Sequence, residues 1–120
     1  MRIRPIVFAG DVDAAIRFYA ALGLEVDARS RSGHWVELRA SGGELGVHDA
    51  AAAADGEGRE GVTLGFVAEE PLEDVERRLR AAGFPPEGRI VDQEWGRSLL
   101  VRGPDGAVAQ IDEQDRELYT

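Results

Sequence analysis

The feature that most constrains this chain is an internal repeat, in which the same order of elements occurs twice. Each half begins with a short β-prone run and continues with an amphipathic helix that ends at a glycine, and these glycines, Gly23 and Gly83, lie 60 residues apart. Three further β-prone runs follow each glycine, and the last of them, 44–49 and 107–112, lie 63 residues apart. Two β-α-β-β-β units at a near-constant offset predict an α+β fold with internal pseudo-symmetry.

The boundaries of the predicted elements follow from periodicity and turn residues. Asp11 stands at the N-cap position of the first helix, and 41–43, Ser-Gly-Gly, reads as a hairpin turn. The segment 103–106, Gly-Pro-Asp-Gly, reads as the corresponding turn of the second unit. The predicted strands are 3–9, 24–29, 35–40 and 44–49 in the first unit, and 62–68, 89–92, 98–102 and 107–112 in the second.

A single domain over 1–120 is expected, because 120 residues suffice for one core but are too few for two ordinary domains. Unit one is predicted at 1–49 and unit two at 61–112. The segment 50–60 is rich in alanine, glycine and charge and reads as a linker, with an alanine run that also suits a short helical turn. The charged tail, 113–120, is predicted to be frayed or lightly docked.

Composition excludes several classes of function. The chain has no cysteine, which rules out disulfides, thiolate metal sites and cysteine nucleophiles and fits a cytoplasmic location. No apolar run is long enough for a membrane span, so no membrane partner is expected. A net charge of −9 argues against nucleic acid and favours cationic ligands. Phosphate-cradling glycine loops and a nucleophile elbow are also missing from the sequence.

Three sequence segments carry a family resemblance. They are 11–19, Asp-Val-Asp-Ala-Ala-Ile-Arg-Phe-Tyr, followed by Leu22-Gly23; then Trp95-Gly96-Arg97; then the turn 103–106. In this order and spacing they resemble the vicinal oxygen chelate superfamily of glyoxalases, bleomycin-resistance proteins and extradiol dioxygenases. The resemblance implies curved mixed sheets around a cleft, in a homodimer whose units are shared or swapped between chains.

The resemblance also implies where a metal would be held. Metal-using relatives take four ligands from strands that line the cleft, at places that correspond here to Arg4, His48, Val62 and Gln110. Arginine only donates, valine has no lone pair and a glutamine carbonyl is a weak ligand, so only His48 would bind a transition metal well. The expectation is therefore no metal and no cofactor, with the closest resemblance to the metal-free bleomycin-resistance proteins, which sequester a drug.

Strand alternation and the family register predict which side chains face the cleft. Val36 and Leu38 suit the helix-covered face of their strand, which leaves Trp35 and Glu37 on the cleft side. The family register turns Arg4, Ile6 and Phe8 of the first strand and Val62, Leu64 and Phe66 of its counterpart inward. The predicted ligand-binding residues are Phe8, Trp35, Glu37, His48, Leu64, Phe66, Glu94, Trp95 and Gln110.

Aromatic walls with a few polar groups are typical of a small-molecule pocket. They predict non-catalytic binding of a small aromatic, partly cationic natural product such as an antibiotic, which would confer resistance. Two alternatives stay open. One is a divalent-metal-dependent glyoxalase-like lyase, isomerase or thiol transferase that uses His48, and the other is a metal-free isomerase or cyclase that uses His48 with a carboxylate. Trp35 and Trp95 also suit a core or a dimer interface, and His48 suits a hydrogen-bonded strand end.

Overall fold

Both predicted units form, and in each the elements follow the predicted order in the computed structural model, which describes residues 1–52, 61–104 and 106–119. The first unit contains β1 (Arg2–Ile3), β2 (Ile6–Ala9), α1 (Val12–Ala21), β3 (Glu25–Arg29), β4 (Trp35–Ala40) and β5 (Gly43–Asp49). The second contains β6 (Gly61–Val67), α2 (Leu72–Ala81), β7 (Val91–Gln93), β8 (Gly96–Arg102) and β9 (Val108–Gln114). Short 3₁₀ helices span Ala50–Ala52 and Arg116–Tyr119.

Local sequence signals account for the ends of both helices. The Asp11 carboxylate accepts a hydrogen bond from the backbone N–H of Ala14 at 3.0 Å, as predicted for an N-cap. Gly23 and Gly83 follow the helices with φ of 102° and 93°, a conformation that glycine adopts without steric cost. Both glycines of the predicted repeat therefore mark the ends of helices.

The predicted first strand is divided at Pro5, which has no backbone N–H to give to a neighbouring strand. β1 pairs with the far end of β6, while β2 pairs with the near end of β6 and with β5. At the break, the Arg4 backbone N–H donates to the Gly65 carbonyl at 2.8 Å. Arg4 is thereby held at the centre of the sheet.

All nine strands of the described residues belong to one sheet. Its main path runs β3-β4-β5-β2-β6-β9-β8-β7, and β1 adds to β6. The two units join where β2 and β6 pair antiparallel, and in each unit the first long strand is parallel to the last. The sheet is therefore mixed and has the same strand order on either side of the join.

The sheet curls strongly. Trp35 begins β4 and Trp95 immediately precedes β8, and four strands lie between β4 and β8 in the sheet. In a flat sheet, β4 and β8 would be about 24 Å apart. The two indole rings are instead stacked with centroids 5.3 Å apart. The predicted α+β architecture of a curved mixed sheet is therefore confirmed, and its concave side, which holds the buried indoles, corresponds to the predicted cleft.

Each helix covers the convex side of its own unit. Under α1, Val36, Leu38 and Val47 form a buried cluster. Between α2 and the sheet, a second cluster is formed by residues of the helix and of the strands beneath it, namely Ala68, Leu72, Val75, Leu99, Val101 and Ile111. No helix in the described ranges combines the length and apolarity needed to cross a bilayer.

The predicted inward register of Val62, Leu64 and Phe66 in β6 is wrong. Residues directly opposite each other in a strand pair share a face, and Thr63 lies opposite Ile6, which is on the concave side. Phe66 packs instead against the cluster under α2, and Leu64 and Val62 are 51% and 69% exposed.

The reason lies at Gly65, which occupies the concave side of β6. A Cβ at Gly65 would lie 2.0 Å from the carbonyl oxygen of Arg4, so no larger residue fits at this position. The bulky side chains of β6 therefore take the other face, where α2 supplies apolar surface.

The tail is docked, which is one of the two predicted alternatives, and its first two residues extend the last strand. β9 continues to Gln114, and the 3₁₀ helix Arg116–Tyr119 returns over the concave side of the sheet. The predicted linker lies mostly outside the described residues, apart from the 3₁₀ turn at Ala50–Ala52.

Candidate functional site

The cleft is built around a pair of stacked indoles, one from each unit. Trp35 and Trp95 are 0% and 1% exposed, and their rings are inclined by 28°. Gly46 makes room for this pair, because a Cβ there would lie 2.3 Å from Cη2 of Trp35. The Trp35 ring can therefore pack closely against the backbone of β5 at Gly46.

The Arg4 guanidinium lies beneath this pair, fully buried. Its Cζ is 4.9 Å from the Trp35 ring centroid, within the range of a cation–π contact. Nη2 donates to Asp112 Oδ2 at 2.8 Å and Nη1 donates to Gln114 Oε1 at 2.9 Å, while Glu37 Oε1 lies 3.5 Å from Nη1. Arg4 Nε has no hydrogen-bond partner among the described residues.

Asp112 is the main counter-charge of Arg4. It is fully buried, and its second oxygen accepts a hydrogen bond from Gln110 Nε2 at 2.8 Å. Burial raises the pKa of Asp112 to about 6, and the positive charge of Arg4 opposes this rise. A buried charged pair depends on such hydrogen bonds, because each ion loses its hydration on burial.

Glu37 is the junction between the polar and aromatic parts of the cleft. It is 2% exposed, and Oε2 accepts from Trp35 Nε1 at 2.8 Å and from the Tyr119 hydroxyl. Oε1 lies 3.4 Å from Arg116 Nη2. Burial and the hydrogen bond to Glu37 raise the pKa of Tyr119, so its hydroxyl stays protonated and donates.

A second polar group lies at the mouth of the cleft. Ser32 in the β3–β4 loop hydrogen-bonds Glu94 in the β7–β8 turn, which closes the mouth between the two units. Burial would raise the pKa of Glu94, but the hydroxyls of Ser30 and Ser32 and the nearby His34 and His48 lower it overall.

His48 lies at the rim of the aromatic cluster. Its Nδ1 is 2.8 Å from the carbonyl oxygen of Asp49, and its ring centroid is 5.5 Å from that of Phe8 and 5.9 Å from that of Trp35. The contacts of His48 are therefore those of a strand-end histidine packed against aromatic rings.

Seven of the nine predicted site residues lie at the cleft and two do not. Those in or beside it are Phe8, Trp35, Glu37, His48, Glu94, Trp95 and Gln110. Leu64 and Phe66 lie on the convex side, as described above.

Sequence reasoning missed Asp112, Gln114, Arg116 and Tyr119. Alternation from Gln110 places Asp112 and Gln114 on the same face of β9, so the first two could have been found. Arg116 and Tyr119 follow the strand in a short 3₁₀ helix and carry no periodic signal.

The residues of the cleft do not fit a metal ion. A guanidinium with a permanent positive charge occupies one of the four places that the resemblance assigns to ligands, and the side chain of Val62 points to the convex side. Across the described ranges no three histidine, aspartate or glutamate side chains are grouped to hold a metal. Asp112 and Glu37 are directed to Arg4 instead.

Comparison with known proteins agrees with this architecture. The family model described as Glyoxalase/Bleomycin resistance protein/Dioxygenase superfamily matches residues 2–111. No curated protein matches the chain.

Similar folds occur among solved structures. A Vibrio splendidus 12B01 member of that superfamily is 18% identical with a TM-score of 0.61, covering 95% of this chain and 98% of that one. A hypothetical protein of Bacillus halodurans C-125 is 10% identical with a TM-score of 0.68, covering 96% and 94%. A Legionella pneumophila structure described as an NAD-dependent benzaldehyde dehydrogenase is 13% identical with a TM-score of 0.77, covering 94% and 99%. At these identities the likeness concerns the fold alone, whereas the family model spans nearly the whole sequence. The chain belongs to the glyoxalase/bleomycin resistance protein/dioxygenase superfamily.

Proposed function

We propose that this protein binds and sequesters a small aromatic natural product, such as an antibiotic, in its concave cleft, and that it does so in the cytoplasm without catalysing a reaction. The observation that carries the proposal is the stacked pair of Trp35 and Trp95 beside the buried carboxylate of Glu37. Apolar rings supply affinity by burial, and one fixed polar group orients the ligand.

The charges of the cleft support binding rather than metal chemistry. Arg4 holds a positive charge where metal-using relatives have a ligand, and its attraction to Asp112 and Glu37 occupies the carboxylates that a metal ion would need. A permanent guanidinium cannot give up a proton and has no lone pair, so it neither binds a metal nor acts as a base.

The ligand we propose is planar and neutral or cationic. Indole faces attract aromatic rings and cations, and the chain carries a net charge of −9. An anionic ligand would instead be repelled by Glu37 and Asp112, because these carboxylates are buried and solvent screens their charges little.

We also propose that the protein is a homodimer, as the resemblance implies. Within one chain the units join through β2 and β6, and the same antiparallel pairing made between two copies would give a swapped dimer with equivalent clefts. Light scattering after size-exclusion chromatography measures the mass, and a monomer at all concentrations would contradict this part of the proposal.

Fluorescence titration tests the proposed function, because both tryptophans of the chain lie in the cleft. We expect at least one compound in a panel of aromatic natural products, cationic and neutral, to quench the emission saturably. Trp35→Phe and Trp95→Phe should each weaken binding, whereas Phe18→Leu on the exposed side of α1 should not. Metal-dependent turnover of glyoxalase-type substrates, with about one tightly bound metal per chain, would overturn the proposal.

A further inference from the structure

We propose that the cleft takes a phenolic ligand, which binds by displacing Tyr119 from the aromatic cluster and from Glu37. This inference rests on the proposed binding function and names the chemical class of the ligand. It starts from the observation that Tyr119 already lies in the cleft. The Tyr119 ring packs against the buried cluster of Ile6, Phe8, Trp35, Ala50 and Trp95, and its hydroxyl donates to Glu37.

Tyr119 is the removable member of the group that surrounds Glu37. Trp35 is part of β4, and Arg4 is fixed by the sheet through its backbone and by Asp112 and Gln114 through its side chain. Tyr119 is carried by a 3₁₀ helix of four residues, an element too short to be stable without its tertiary contacts. The protein can therefore lose Tyr119 from the cleft while the rest of the site stays in place.

The segment that carries Tyr119 also contacts the first unit through Arg116. Arg116 bridges to Asp27 at 2.6 Å and approaches Glu37 at 3.4 Å, but it is half exposed, and ion pairs in that setting are weak. At the other end, the Asp115 N–H donates to the Trp95 carbonyl at 2.8 Å. The segment is thus anchored to the second unit at Asp115 and can swing away from the first unit about this residue.

The vacated place has the chemistry of a phenol site. A ring must replace the ring of Tyr119 against the indoles, and a neutral O–H must replace its hydroxyl, because buried Glu37 Oε2 would otherwise lose one of the two donors that Trp35 and Tyr119 supply. A carboxylate on the ligand would meet Glu37 with like charge, and a plain hydrocarbon would leave Glu37 Oε2 with Trp35 Nε1 but without the second donor that Tyr119 supplies.

A ligand can also gain a contact that Tyr119 does not make. Arg4 shares Glu37 with Tyr119, and Arg4 Nε is buried without a hydrogen-bond partner in the described ranges. A phenol whose additional acceptor oxygen reached this N–H would have an advantage over the protein's own tyrosine.

The test uses p-cresol as the probe, since it is the side chain of tyrosine, and toluene as its hydrocarbon match. We expect Tyr119→Ala to bind p-cresol about tenfold tighter than the wild type, measured by tryptophan fluorescence, and to bind toluene about tenfold more weakly than p-cresol. Leu118→Ala, on the same 3₁₀ helix, should match the wild type. Equal p-cresol affinity in wild type and Tyr119→Ala, or no preference over toluene, would overturn the inference.

A measurement on the wild type tests displacement even if the Tyr119→Ala variant folds poorly. The Leu118 N–H donates to the Asp115 carbonyl at 3.1 Å, so its exchange with deuterium reports whether the 3₁₀ helix is formed in place. Saturating p-cresol should accelerate exchange at Leu118 without affecting β9, and slowed or unchanged exchange would overturn displacement.

The two proposals fail in distinguishable ways. If natural products bind wild type and Tyr119→Ala equally well, the binding function stands and displacement is wrong. If p-cresol binds Tyr119→Ala but no natural product binds either protein, the phenol site stands and sequestration is wrong.

Discussion

The Trp35 indole from the first unit stacks on the Trp95 indole from the second, with ring centroids 5.3 Å apart. Replacing Trp95 with alanine should lower the free energy of unfolding by about 3–5 kcal/mol, because it empties the centre of the cleft cluster. The coupled signal of two adjacent indoles in circular dichroism should also vanish. Phe18→Ala, on an exposed face of α1, should change stability by less than about 0.5 kcal/mol. A dichroism spectrum that keeps the coupled signal in Trp95→Ala would show that the indoles are not stacked.

Gly46→Ala tests how closely Trp35 lies against β5. The new methyl group would lie 2.3 Å from the indole, so the ring must move, at a cost of about 1–3 kcal/mol in the free energy of unfolding. Gly43→Ala is the matched control, because it is in the same strand and a Cβ there meets nothing within 4 Å. Chemical denaturation of both variants measures the difference, and equal stability would mean that Trp35 does not cover Gly46.

The Arg4 and Asp112 pair should behave as one unit in a double-mutant cycle. Arg4→Met leaves Asp112 buried without its cation and removes one of the two arginines beside Glu37, and should cost about 3–5 kcal/mol of stability. Asp112→Asn combined with Arg4→Met should cost less than the sum of the single changes, because the neutral pair leaves no isolated charge at that position. Additive losses would contradict direct contact between the two side chains.

Asp112 also predicts a pH dependence with an unusual sign. Its folded-state pKa is about 6 and lies above its value of about 3.9 in an unfolded chain, so the folded protein binds more protons between these values. The stability that Asp112 contributes is present below about pH 4 and falls as the pH rises through 6, by on the order of 2–3 kcal/mol. Asp112→Asn should lose this pH dependence, so its free energy of unfolding should increase relative to that of the wild type as the pH rises.

Asp27→Asn is the control of opposite sign for that measurement. Arg116 lowers the pKa of Asp27, so the contribution of Asp27 is present above its unfolded pKa and is lost as pH falls. The free energy of unfolding of Asp27→Asn, relative to that of the wild type, should therefore increase towards acid pH. Denaturation curves of all three proteins across about pH 2–8 show whether the two variants diverge from the wild type in opposite directions, Asp112→Asn between about pH 4 and 6 and Asp27→Asn below about pH 4, and parallel curves would contradict both assignments.

The sequence was enough to predict the repeat, the helix ends and most of the cleft, because these depend on local signals. Gly23 and Gly83 end helices through their own conformational freedom, and alternation placed Trp35 and Glu37 correctly. The register of β6 could not be predicted in this way, since apolar residues occupy both of its faces and the deciding clash at Gly65 involves a residue of another strand. The position of Tyr119 depends on Glu37, 82 residues away, and the periodicity of helices and strands carries no information over that separation.

The long sequence separation between Arg4 and Asp112 has a consequence for how the protein folds. Contacts within each unit join residues that are close in the chain, whereas the bond from Arg4 to Asp112 spans 108 residues. Contacts of long sequence separation carry the largest loop-closure cost and tend to form late. We therefore expect the cleft to assemble only after both units have folded, so that recovery of ligand binding during refolding reports the last step rather than the first.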